Sequence, residues 1–187
     1  MNDEIKIAQE ILYKGGVILY PTDTIWGIGC DATNEAAVRR VFEIKKRADS
    51  KALLVLIDNP VKLDFYVQEV PEVAWDLVEL SEGPLTIIYP GARNLAPNLL
   101  AEDGSVGIRV TKESFSSQLC ARFRKAIVST SANVSGAPSP CFFEEISPEI
   151  IAAVDYVVNF RRTDRTPAKA SSIIKLSMGG KVEIIRK

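Results

Sequence analysis

The chain has 187 residues, a formal net charge of -1, 47% hydrophobic and 25% charged residues. These values suit a single globular domain over 1–187 and exclude a disordered, fibrous or bulk-charge nucleic-acid-coating chain. There is no histidine, so Ser-His and Cys-His nucleophile pairs and histidine-held metals are excluded as well.

In chain order, Ile5, Ile7, Ala8, Ile11 and Leu12 recur at near-helical spacing, and Gly15-Gly16 follows as a helix stop. The run 17–20 is β-branched and aromatic, a buried strand ended by Pro21. Asn34 is placed to cap a second helix whose apolar face is Ala37, Val38, Val41, Phe42 and Ile44. A strand is expected over 52–57, then a helix over 71–80 with Val73, Trp75, Leu77 and Val78 inward. Residues 85–89 and 106–110 read as strands, 114–124 as a helix capped by Ser114, and 126–130 as a strand. A short helix over 148–154 follows Ser147, and strands over 156–160, 172–176 and 182–185 end the chain. Helices and strands interleave but the tail is strand-rich, which predicts an α/β fold on a mixed, twisted sheet. Cys30, Cys120 and Cys141 are far apart and form no Cys-x-x-Cys pair, so each is expected as a buried thiol. No apolar run approaches the ~20 residues of a membrane span, and the Met-Asn-Asp-Glu start lacks a signal peptide's basic residues. A cytoplasmic protein with no membrane contact is expected.

Three loops carry candidate chemistry. The segment 21–29, Pro-Thr-Asp-Thr-Ile-Trp-Gly-Ile-Gly, follows a buried strand. Its hydroxyls and carboxylate can cradle an amino acid, or form a turn with a glycine-rich bend. Lys45-Lys46-Arg47 ends the second helix, where cations complement the helix dipole or neutralise phosphate. The segment 129–136, Ser-Thr-Ser-Ala-Asn-Val-Ser-Gly, can bind anions through hydroxyls and amides, or be a serine-rich turn. No P-loop, dinucleotide-binding or kinase pattern is present.

In order, these segments resemble the YrdC-like family. The matching pieces are Tyr20 to Gly29, Lys45 and Arg47, the Gly-Pro-Leu-Thr of 83–86, the Val-Gly-Ile-Arg-Val of 106–110 and the Thr-Ser-Ala-Asn-Val-Ser-Gly of 130–136. The resemblance implies a threonylcarbamoyl-AMP synthase of the short, single-domain form, folded around a large concave basic cleft. It would join L-threonine, bicarbonate or CO2 and ATP, with Mg2+ arriving on ATP. Downstream proteins would pass the threonylcarbamoyl group to transfer RNA. The family's catalytic tetrad falls on Lys45, Arg47, Ser131 and Asn133. Its threonine-binding positions fall on Thr24, Arg109, Ser131 and Ser171. Its nucleotide-binding positions fall on Arg47, Lys51, Ser105, Asn133, Cys141 and Arg186. No metal site of the protein's own is implied.

The chain departs from the family pattern at Ala48 (often proline), Leu56 (histidine in long forms), Cys141 (serine or threonine) and Lys175 (a carboxylate). The residues themselves single out Arg109, which alternates with Val106, Ile108 and Val110 and so needs an anion, such as a threonine carboxylate, opposite it. The competing expectation from another class is a non-catalytic module for double-stranded or transfer RNA. Near-neutral charge and 7% aromatics weigh against it. A mononucleotide-binding regulator is the third.

Overall fold

The computed structural model describes residues 1–47, 52–166 and 170–187. Helix α1, Asn2–Tyr13, turns Ile5, Ala8 and Leu12 inward, while Ile7 is exposed. It ends where Gly15 takes a φ of 75° and Gly16 N–H reaches back to the Ile11 carbonyl at 2.9 Å. Strands β1 (Ile18–Tyr20) and β2 (Gly27–Gly29) form an antiparallel pair across the loop 21–26. Helix α2, Glu35–Ile44, starts as expected, with the Asn34 side chain accepting from Ala37 N–H at 3.1 Å.

Strand β3 (Leu54–Ile57), the short helix α3 (Leu63–Tyr66) and α4 (Glu72–Leu80) follow. In α4 the fully buried residue is Ala74, while Val73, Trp75, Leu77 and Val78 pack half-buried against the core. Next come β4 (Leu85–Tyr89), β5 (Val106–Val110), α5 (Ser114–Phe123) and β6 (Ile127–Ser131). The chain closes with α6 (Pro148–Ala153), β7 (Tyr156–Val157), β8 (Ser172–Leu176) and β9 (Val182–Arg186).

Two local expectations are corrected. The cap of α5 is Glu113, whose carboxylate accepts from Phe115 N–H at 3.0 Å and Ser116 N–H at 2.8 Å. An ionised carboxylate here meets both the free amides and the positive end of the helix, which a serine hydroxyl does less well. Cys30 and Cys120 are buried, but Cys141 is exposed.

The nine strands make one mixed sheet in the order β7-β1-β2-β6-β3-β5-β4-β8-β9. Its register sorts side chains by face. Val128, Val55, Ile108, Ile87 and Ile174 are aligned across five strands and lie in the larger apolar core, together with the inner faces of α2, α3 and α4. The next row, Ser129, Leu54, Gly107, Ile88 and Lys175, points the opposite way. On that second face α1 and α5 cover only the end near β1, where Ile5, Leu12, Phe115, Leu119, Phe123, Tyr20 and Leu56 form a smaller core. Among the described residues no helix covers the rest of the face, and there the site lies.

Strand β2 fits between β1 and β6 because it has almost no side chains. A Cβ on Gly29 would stand 2.5 Å from Tyr20 Cε1 and 2.6 Å from the Val128 carbonyl oxygen. Backbone cannot yield at that distance. Gly29→Ala is therefore expected to destabilise the protein by about 1–3 kcal/mol, read as a melting temperature lower by roughly 2–4 °C per kcal/mol.

Candidate active site

The uncovered face holds a cavity of about 960 Å3, at the upper end of the range for small-molecule sites. Its floor is the middle of β3, β4, β5 and β8, not only the strand ends that an open parallel sheet would offer. Helix cover explains the difference, since crossover helices close both faces of a parallel sheet, whereas here α1 and α5 pack on one end of this face. Among the described residues its walls carry the cations Arg47, Arg109, Lys175 and Arg186 and the carboxylates Glu102 and Asp103.

Seven of the expected residues line this cavity: Thr24, Arg47, Ser105, Arg109, Ser131, Ser171 and Arg186. They come from six separate stretches of chain. Thr24 is fixed by its own loop, its hydroxyl 3.0 Å from that of Thr22, which also bonds the Ile25 carbonyl at 2.8 Å. Arg109 is 3% exposed. Its Nη2 lies 3.1 Å from Asp23 Oδ1 and 3.4 Å from Thr24 Oγ1, so the anion its strand position demands is already inside the protein. Arg47 donates through Nη2 to the Ala52 carbonyl at 2.8 Å. Burial lowers its guanidinium pKa from the ordinary value. Among the described residues, the Nε atoms of both arginines are buried and have no partner. Such donors are costly unless a ligand accepts from them.

At the other side Ser171 is buried, and its hydroxyl is 2.8 Å from that of Thr86. Arg186 grips the Ser171 carbonyl through Nε at 2.9 Å and Nη2 at 2.8 Å. Ser105 is buried, with its N–H on Asp103 Oδ1 at 3.0 Å, while Asp103 Oδ2 accepts from Lys175 at 2.8 Å. Hydrogen bonds from Lys175 and Ser105 hold the Asp103 carboxyl low, at about 2. Lys175 thus enters the wall already paired.

Three expected residues stand apart from the cavity. Lys45 does not point into it as a phosphate ligand would. It is 2% exposed, and its Nζ donates to the Ser131 carbonyl at 2.5 Å and the Asn133 carbonyl at 2.6 Å. Its own carbonyl accepts from Ser135 N–H at 2.8 Å. The residue therefore clamps the loop after β6. Desolvation, then the neighbouring Arg47, lowers its ammonium pKa to about 8. Asn133 is held within the same loop, donating through Nδ2 to the Val134 and Ala137 carbonyls at 3.1 and 2.6 Å. Cys141 borders a separate small hollow beside Trp26 and Arg161, because Glu145 Oε2 turns its segment aside by accepting from the Cys141 N–H at 2.7 Å. Lys51 and Ala48 lie outside the described residues. Thr86 and Ser139 had no assigned role in the sequence, Lys175 entered it only as a departure from the family pattern, and Asp23 was read as part of an amino-acid cradle. Thr86, in the Gly-Pro-Leu-Thr segment, and Asp23, in the 20–29 segment, both lie in visible motifs.

A mixed sheet with one bare, polar, arginine-bearing face defines the class, and the comparisons give it a family. The chain belongs to the Sua5/YciO/YrdC family, whose model, described as "Telomere recombination", matches residues 10–187. It is 34% identical over 187 residues to a threonylcarbamoyl-AMP synthase of Pseudoalteromonas translucida, covering 97% of this chain and 98% of that one. A threonylcarbamoyl-AMP synthase of Pseudomonas aeruginosa is 38% identical over 133 residues, 71% of each chain. Among solved structures, E. coli YciO superposes with a TM-score of 0.86 at 25% identity, covering all of this chain and 90% of that one. P. abyssi Sua5 complexed with L-threonine gives 0.82 at 26% identity, covering 92% of this chain. The chain spans about half the length of that Sua5 protein. Among the described residues no helix is long and apolar enough to cross a membrane.

Proposed function

We propose that this chain is an L-threonylcarbamoyladenylate synthase, making threonylcarbamoyl-AMP and pyrophosphate from L-threonine, bicarbonate or CO2, and ATP. The observation that carries the reading is one cavity lined by Arg47 and Arg109, two arginines whose buried Nε donors have no partner among the described residues. Two anionic groups satisfy them. Arg109, beside Thr24, takes the threonine carboxylate, and Arg47 takes the triphosphate. Ser131 serves both reactants, with Ser171 on the amino acid and Ser105 and Arg186 on the nucleotide.

Threonine's amine adds to CO2 with loss of a proton, or to bicarbonate with loss of water, giving a carbamate. A carbamate oxygen then attacks the α-phosphorus, the bond from that phosphorus to the bridging oxygen breaks, and pyrophosphate leaves. The attacking oxygen is already anionic, so no histidine or serine base is needed. Holding the unstable carbamate against the nucleotide contributes ~7–11 kcal/mol relative to free reactants. The product is a mixed anhydride, suited to proteins that transfer its acyl group to transfer RNA.

Pyrophosphate release is the test. It should require threonine and bicarbonate together. Transfer RNA binding without such release would sink the enzyme reading and favour a binding module.

Mg2+ enters this scheme on ATP. Among the described residues no three carboxylates or cysteines gather into a metal-binding group. EDTA is expected to stop turnover while leaving the melting temperature of the ligand-free protein unchanged. A drop of several degrees would reveal a resident structural ion instead.

A further inference from the structure

The ion pair behind the cavity is incomplete. Arg109 Nη2 sits 3.1 Å from Asp23 Oδ1, yet among the described residues that oxygen accepts no aligned hydrogen bond and Arg109 Nε donates none, although both atoms are buried. Coulomb attraction offsets the desolvation of a buried pair only when the remaining hydrogen bonds are also made. Burial raises the Asp23 carboxyl above its ordinary value despite the pull of Arg109. The carboxylate also approaches from behind. Asp23 borders not the main cavity but a second hollow of about 210 Å3, whose walls include Glu82 and Lys112. Arg109 therefore stands between two anion positions, one filled by Asp23 and one facing the main cavity.

We propose that Asp23 is a resident counter-ion that holds Arg109 in the empty site and competes with the carboxylate of the incoming amino acid. It would limit substrate affinity, not add to it. The inference rests on the placement of the threonine carboxylate at Arg109 under the proposed function. Two effects oppose one another. Asp23 helps to fix the guanidinium plane, but through a single undirected contact. Against that, two carboxylates sharing one guanidinium repel across a half-buried medium, where an effective dielectric of about 20 leaves such repulsion strong. The threonine ammonium lies on the far side of its carboxylate and offsets only part of this. Repulsion is the larger effect.

The second hollow gives protons a route to Asp23 that bypasses the bound substrate. The other charged and titratable groups around it are Arg109 on β5, Glu113 at the start of α5, Tyr20 on β1, Cys120 on α5, and Glu82 and Lys112 in the hollow. Burial raises the Tyr20 hydroxyl and the Cys120 thiol well out of the acidic range. Glu113 is occupied by the α5 amides and by Arg161 at 3.4 Å.

L-Threonine is titrated by calorimetry into the full chain, wild type, Asp23→Asn and Asp23→Glu, between pH 5 and 8, with melting temperatures taken with and without threonine. Asp23→Asn should melt lower when empty, bind threonine about tenfold more tightly, and gain more degrees from it than wild type does. Wild-type and Asp23→Glu affinity should rise as the pH falls, and that dependence should vanish in Asp23→Asn. Equal or weaker binding by a folded Asp23→Asn protein overturns the proposal and makes Asp23 an orienting group. If Asp23→Asn does not fold, the wild-type profile decides, and affinity that is flat or falls with acid overturns it. Wild type that binds no threonine at any pH sinks the functional reading and this inference together, whereas normal wild-type binding with an unchanged mutant sinks the inference alone.

Discussion

Lys45→Ala is expected to lose both stability and adenylate formation. On sequence grounds the residue sits at a polar helix end on which no packing depends, and the substitution would spare the fold. Its position inside the protein reverses that expectation. The ammonium donates to the Ser131 and Asn133 carbonyls; the Ser131 carbonyl keeps the Asn133 N–H at 2.9 Å, so the Asn133 carbonyl is the one that loses its donor, at a cost of about 1–3 kcal/mol. Thermal unfolding should show a melting temperature lower by roughly 2–12 °C. The loop carrying Ser131 would lose its anchor, so pyrophosphate release should fall below detection. A variant that melts like wild type would show that the clamp contributes little.

The same group sets an alkaline limit. The folded pKa of about 8 lies below the lysine reference of 10.5. Between those values the unfolded chain binds more protons, so this group's contribution to stability rises with pH. The neutral amine still donates hydrogen bonds and the loop stays in place, but a positive charge next to Arg47, just outside the cavity, is lost. The KM for ATP should therefore climb as pH passes about 8, with no parallel loss of melting temperature. A flat profile to pH 10 would mean that the amine acts only by hydrogen bonding.

Arg47 and Arg109 are expected to separate the two substrates. Arg47→Ala removes one bond to the Ala52 carbonyl and leaves no buried charge behind, so the fold should survive. A lost charge-assisted contact to phosphate is worth about 1.5–3 kcal/mol, and ATP should bind roughly ten- to a hundredfold more weakly. Arg109→Lys keeps the charge but gives up the planar fork that matches a carboxylate. Threonine binding should weaken at least tenfold while ATP binding changes much less. Calorimetric titration of both ligands into both variants reads this directly. If Arg109→Lys loses ATP and keeps threonine, the two ends of the cavity are assigned the wrong way round.

Much of this was legible in the linear chain because its causes are local. The helical spacing of Ile5, Ala8 and Leu12, the Asn34 cap and the β-rich runs at 85–89 and 106–110 each depend on neighbours within a few residues. The alternation around Arg109 likewise put it on a polar face, since a strand's faces follow from its period of two. Strand β2 was not legible. Gly-Ile-Gly has little strand preference of its own, and it pairs there because β1 and β6 approach too closely for side chains.

Sequence alone therefore determined most of the elements, though not β2 or α3, together with the mixed α/β class and the set of residues able to handle anions, all of which follow from short-range periodicity and residue chemistry. Which of them face a common space was decided only by tertiary structure. Asp23 meets Arg109 from 86 positions away, and Lys45 reaches Ser131 across the same number, turning a presumed phosphate ligand into a clamp. Such partners are fixed by strand order and register, and these depend on contacts between segments that no local pattern records.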